Sequence, residues 1–227
     1  MKVSKKMTIT AAITIGFFVL VMGAWIGVGI ASISGIATPE YRVLSTHDGY
    51  EVREYAPQLV ARVEVEGNFE ESLNRGFRKL AGFIFGDNTA HAGSGTQGSQ
   101  AIAMTAPVLE QGAESASIAM TAPVIEVAPK SGKRQITFVM PREYTLATIP
   151  RPKDPEIHLI EIPTRRYAAL AFSGWVNADK AATMKSRLLD YLKRDGQIPT
   201  DDPALAQYNP PWTPPFMRRN EILVPLP

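Results

Sequence analysis

Between Met7 and Pro39 the chain carries no charged residue, and no other feature of the sequence restricts its fold so strongly. Residues 9 to 36 exceed the roughly 20 residues a helix needs to cross a hydrocarbon core. A transmembrane helix contacting the lipid bilayer is therefore expected there. A cleavable signal peptide is the competing reading, since Gly35 and Ala37 supply small residues for a cleavage site. Its apolar region is about twice the usual ~7 to 15 residues, however, which favours an uncleaved anchor. Lys2, Lys5 and Lys6 precede the run, and all 22 carboxylates follow it. A positive flank of this kind stays cytoplasmic, which in a bacterial cell puts the rest of the chain in the periplasm. The expected division is an anchor over residues 1–38 and a soluble domain over 40–227. Gly23, Gly27, Ala31 and Gly35 recur every four residues, a spacing that allows a homodimer through close helix approach. The general richness of membrane helices in Gly and Ala produces such a stripe as well.

Removing those three lysines from the 24 basic residues leaves 21 against 22 acidic ones. A nearly neutral body without clustered Lys and Arg argues against a nucleic-acid partner. The absence of cysteine excludes disulfides, thiolate metal sites and thiol nucleophiles.

From Tyr41 the pattern changes to short strands: YRVLS, a turn at His47 to Gly49, YEVREY, and then LVARVEVEG with alternating apolar and polar residues. Asn68 and Glu71 have the spacing of a capping box. They open a helix whose apolar stripe is Phe69, Leu73, Phe77, Leu80 and Ile84 and whose other faces carry Glu70, Arg75, Arg78 and Lys79. Residues 89–100 are too polar to pack and predict a mobile loop. An octapeptide then recurs, AIAMTAPV at 101–108 and SIAMTAPV at 117–124, which predicts two β-rich copies as a hairpin or as sheet neighbours. Strands are expected at ITFVMP, HLIEI, YAALAFSG and EILVPL, and a second helix over 177–194 with Ala181, Met184, Leu188, Tyr191 and Leu192 inward. The prolines of 208–216 rule out a helix or a central strand there. Strand, turn, strand, Gly and helix occur at 50–86 and again at 157–194. The reading is an α+β fold of two pseudo-symmetric halves, a twisted, mostly antiparallel sheet or distorted barrel with two helices after the anchor.

Several strings then carry a resemblance. YEVREYAP at 50–57, GFRKLAGFIFGDN at 76–88, IAMTAPV at 102 and 118, YNPPW at 208 and RRNE at 218–221 together resemble the SOUL haem-binding family. The resemblance extends over nearly all of residues 40–227. It implies non-enzymatic binding of haem or another tetrapyrrole in an apolar groove beside the first soluble helix, on a fold similar to bacterial small-molecule effector-binding domains.

A porphyrin needs apolar, preferably aromatic, walls and cations for its two propionates. Phe77, Ala81, Trp212 and Phe216 are the candidate walls, and Arg75, Arg78 and Arg218 the candidate propionate partners. Phe77 equally suits a core position, and the arginines equally suit a solvated surface. Some family members carry histidine in the YEVREY string where this chain has Glu54, and His47, His91 and His158 are scattered. Met104 and Met120 offer thioethers, although Met in strands commonly packs. Iron ligation is therefore not expected to be the main source of affinity. HExxH, GxSxG, GxGxxG and P-loop signatures are all absent. Two alternatives remain open: a hydrolase using Glu54 or Glu64 with Tyr55 or Tyr167, and an envelope scaffold binding a protein through the C-terminal aromatic segment.

Overall fold

A computed structural model describes residues 5–33, 38–90, 99–103, 106, 108–111, 133–210 and 212–227. Helix α1 (Lys5–Ile33) is mostly exposed, and within Ile13–Ile30 only Gly29 is buried. The soluble part begins with strands β1 (Tyr41–His47), β2 (Tyr50–Tyr55) and β3 (Gln58–Glu66), followed by helix α2 (Phe69–Phe85) and the short β4 (Asn88–Thr89). Then come β5 (Val108–Gln111), β6 (Lys133–Val139), β7 (Arg151–Pro152), β8 (His158–Ile162) and β9 (Arg165–Phe172). Helix α3 (Ala178–Arg194), β10 (Ala204–Gln207) and β11 (Asn220–Leu226) complete the chain, and the class is α+β.

Nine strands form one curled sheet in the order β1-β2-β9-β11-β10-β5-β6-β3-β8, with every described pair antiparallel. The two halves are interleaved. β2 and β3 are consecutive, as are β8 and β9, yet neither couple forms a hairpin: β2 pairs with β9 and β3 with β8. Each half lends its first strand to the second strand of the other, so neither can close its own sheet. The join lies at β5 and β10, where Leu205 faces Glu110 and Ala206 faces Leu109.

Each helix covers one half. Leu80, Phe83 and Ile84 of α2 pack on Ala61, Val63, Ile136 and Phe138, while Ala181, Leu188 and Leu192 of α3 pack on Ala168, Leu170, Ile222 and Val224. Because side chains alternate along a strand, the intervening residues face away from the helices, where Ala169, Ala206, Tyr208 and Leu223 make a third cluster. Asn68 caps α2: its side chain accepts from the Glu71 N–H at 3.0 Å, and the Glu71 carboxylate accepts from the Asn68 N–H at 3.4 Å. Asn177 caps α3 in a similar way, accepting from the Lys180 N–H at 2.9 Å.

One expectation needs correction, that for the first octapeptide, and two local features are added. β10 lies inside the sheet although its sequence, ALAQ, carries no strong strand signal. Ala101–Ala103 of the first octapeptide is not a strand: Ile102 docks against the end of α2, its N–H donating to the Ile84 carbonyl at 2.7 Å. The 208–216 stretch runs into a single 3-10 turn at Pro215–Met217, tolerated because Pro at the first position has no N–H to lose. Residues 91–98, the second octapeptide copy at 117–124, His91, Met104 and Met120 lie outside the described residues.

Candidate functional site

The outer face of α2 and the 153–157 turn enclose a cavity of about 360 Å³. Arg75, Arg78 and Lys79 enter it from successive positions on α2, and Phe83 and Ile157 form its apolar floor. Asp87 and Asp154 close the rim. Lys79 is committed to the wall, donating to Asp154 at 2.8 Å and also pairing with Glu156. The hydrogen bond from Lys79 and a second from the Glu156 backbone hold the Asp154 carboxyl below its ordinary range. Arg75 and Arg78 are exposed, and among the described residues neither has a carboxylate partner; Arg78 Nε reaches only the Asn74 carbonyl, at 3.3 Å. Two uncommitted guanidiniums thus stand at the mouth of a partly apolar cavity. Fully buried Asn88 ties the loop ends beside it, its amide donating to the carbonyls of Phe83 and Gln100 at 2.7 and 2.6 Å.

The other expected site residues distribute differently. Phe77 is turned to the core, its ring 5.4 Å from that of Phe138, and Ala81 is half-buried on the same helix. Trp212, Phe216 and Arg218 belong to the segment joining β10 to β11 and do not line the α2 cavity. Arg218, expected as a propionate partner, is placed differently from Arg75 and Arg78. It is buried, its Nε donates to the Thr213 carbonyl at 3.0 Å, and its guanidinium lies 3.9 Å from the Trp175 ring centre.

No described histidine points an imidazole into the cavity. Leu159 packs toward α2, so its neighbour His158 faces the other side of the sheet. His47 is also engaged elsewhere: it stacks on Tyr50 at 4.6 Å and its Nδ1 lies 3.5 Å from Asp195. Among the described residues, those lining the cavity suit the carboxylate end and edge of a tetrapyrrole, and neither His47 nor His158 is placed as an axial ligand.

A second constellation lies on the sheet face opposite the helices. Glu221 is fully buried and accepts from Arg53 Nη1 at 3.0 Å, from the Tyr208 hydroxyl at 2.6 Å and from Arg219 Nη2 at 2.8 Å. Burial works against its ionisation, but the Tyr208 hydrogen bond and the charges of Arg53 and Arg219 prevail and hold the carboxyl below its ordinary value. Burial and the nearby Glu221 charge push the Tyr208 phenol upward. Tyr55 joins the group, packing edge-on against Tyr167 at 5.5 Å. In the hydrolase alternative Tyr55 or Tyr167 would work with Glu54 or Glu64, but Glu54 pairs with Arg42 at 2.9 Å and exposed Glu64 accepts from Gln135 at 3.1 Å. The carboxylate of the cluster is Glu221. Its members come from YEVREYAP, YNPPW and RRNE, so the strings were visible in the sequence and their meeting was not.

No curated protein matches the chain in sequence. Among solved structures, the EcmrR–DNA complex in EcmrR-RPo is similar with a TM-score of 0.53 at 12% identity, over 79% of this chain and 58% of that one. The EcmrR C-terminal domain gives 0.49 at 13% identity over 82% and 98% of the two chains. A hydrolase from Listeria innocua gives 0.46 at 7% identity over 81% and 94%. At such identities the likeness concerns the fold. The family described as SOUL heme-binding protein matches residues 36–225, and this chain, with its α2 cavity and its joined YEVREYAP, YNPPW and RRNE strings, belongs to it.

Proposed function

We propose that this chain is a membrane-anchored, non-enzymatic tetrapyrrole-binding protein whose domain faces the periplasm and holds haem or another porphyrin for sequestration or transfer. The observation carrying this reading is the pair of uncommitted guanidiniums, Arg75 and Arg78, at the α2 cavity of a haem-binding-family chain. Guanidinium pairs with carboxylate through parallel, charge-assisted hydrogen bonds, which suits two propionates, and Phe83 and Ile157 offer apolar contact to the macrocycle edge. A general base works best with a pKa near the operating pH, and Glu221, depressed and fully bonded, is poorly suited to that task. α1 is long and apolar enough to cross a membrane, and Lys2, Lys5 and Lys6 favour retention of its amino terminus in the cytoplasm.

Titration of the purified protein with hemin and with metal-free protoporphyrin, followed at the Soret band, tests the reading. The two ligands are expected to bind within about tenfold of each other, or ~1.4 kcal/mol. Arg75→Glu combined with Arg78→Glu should weaken both by about tenfold or more, while Trp212→Ala leaves both unchanged. Binding of hemin alone, or indifference to the charge reversal, overturns the assignment. Turnover of an ester or lactone panel without added cofactor overturns the non-enzymatic reading.

A further inference from the structure

The segment between β10 and β11 exposes large apolar side chains from a firmly held backbone. Trp212 and Phe216 are 56% and 62% exposed, although Thr213 and Pro214 between them are buried. The Gly174 N–H donates to the Pro215 carbonyl at 2.9 Å, and the Asn220 amide donates to the Gly174 carbonyl at 3.0 Å. These bonds bring Trp175, itself 53% exposed, into the same group of loops. Three large aromatic side chains exposed together on a fixed scaffold mark a contact surface.

Helix α1 arrives at this surface. Trp25 Nε1 donates to the Trp212 carbonyl at 2.8 Å, and Gly29 sits so close to Pro214 that a Cβ there would lie 2.8 Å from its Cδ. Lys6 is the last charge before the apolar run. From Met7 to Trp25 a helix rises about 27 Å at 1.5 Å per residue, close to the ~30 Å of a hydrocarbon core. With the lysines at one interface, Trp25 falls at the other, at the level of the docked loop. Tryptophan favours that layer, where its ring meets acyl chains and its N–H finds a polar partner.

We propose that residues 212–218, together with Trp175, rest in the interfacial layer of the membrane that α1 spans, so that the domain is seated on lipid instead of hanging on a free tether. This proposal rests on the membrane-anchor reading of α1.

The chain has no cysteine, so one introduced cysteine takes a nitroxide label uniquely. Phe216→Cys, Leu20→Cys and Ile198→Cys in the full chain, reconstituted in phosphatidylcholine liposomes, would be compared for collisions with molecular oxygen and with a polar nickel chelate. Leu20 reports on the anchor. Ile198, 72% exposed, precedes Thr200, whose N–H bonds Pro225 at the far end of β11, and it reports on water. The label at 216 should be relaxed more by oxygen than by chelate, as at 20, with the reverse at 198. Trp212→Cys should repeat the result, because the carbonyl of residue 212 and not its side chain accepts from Trp25. Behaviour at 216 like that at 198, with 20 still in lipid, overturns the proposal and leaves the anchor standing. Protection of 216 from both relaxants overturns it in favour of a protein partner such as a second copy. Chelate access at 20 overturns the anchor reading and the proposal with it.

Discussion

At the residue scale, Glu221 shows how a buried charge is tolerated and what it costs to disturb. Its oxygens are occupied by Arg53, Arg219 and Tyr208, and its side chain has no exposed surface. Glu221→Gln leaves two arginines facing a neutral amide, and breaking a buried pair from one side typically costs about 3 kcal/mol or more. Urea unfolding near neutral pH should show a loss of that order. The same group predicts an acid dependence. Its folded pKa lies below the ordinary 4.5, so its stabilisation is complete above that value and is lost as the pH falls through the lower folded value. Stability of the parent should therefore drop more steeply below about pH 4.5 than that of the Gln variant; parallel curves would assign the acid sensitivity to other groups. Arg75 and Arg78 were legible as candidate cations because three-residue spacing on a helix is local information. Arg218 was named with them, but its burial was not legible, because what engages it is a pair of loop carbonyls, Thr213 and Pro210, that no side-chain pattern announces.

At the element scale, α2 was readable in detail, and two substitutions probe why it forms and where it sits. Asn68→Ala removes the side-chain arm of the capping box, the bond accepted from the Glu71 N–H, and should cost about 1 kcal/mol, read as a lower melting temperature. Gly76→Ala would ordinarily stabilise a helix by ~0.5 to 1 kcal/mol. Here the added Cβ would lie 2.4 Å from Ile136 Cγ1, so the variant should be destabilised, by about 1 to 3 kcal/mol, as overpacking predicts. A stabilised Gly76→Ala protein would mean that α2 does not press on β6 so closely. The strand β10 marks the opposite case. Ala204–Gln207 is extended because β11 and β5 pair with it from both sides, a condition that its own four side chains do not encode.

At the scale of the whole molecule, α1 adds little to the domain core, since within Ile13–Ile30 only Gly29 is buried and its described contacts, the Trp25 hydrogen bond and the approach of Gly29 to Pro214, fall on the segment joining β10 to β11. A protein starting at Glu40 should therefore unfold in one cooperative transition close to that of the full chain. A large drop in its midpoint would show that α1 contributes to the core. Reporter fusions at Pro227 should be active only outside the cytoplasm, and cytoplasmic activity would reverse the proposed orientation. The sequence by itself determined the apolar helix, the near-neutral domain, both capped helices and most strands, because charge-free length, helical periodicity, alternation and capping are properties of neighbouring residues. Only the tertiary structure decided that β2 joins β9 and β3 joins β8, that Arg53 meets Glu221 168 positions away, and that the Trp212 carbonyl meets Trp25 of α1 while Trp212 stays out of the α2 cavity. The alternation of a strand states which side chains share a face but leaves its pairing partner open, and those three placements all follow from the pairing order and from the loops it leaves at the sheet ends.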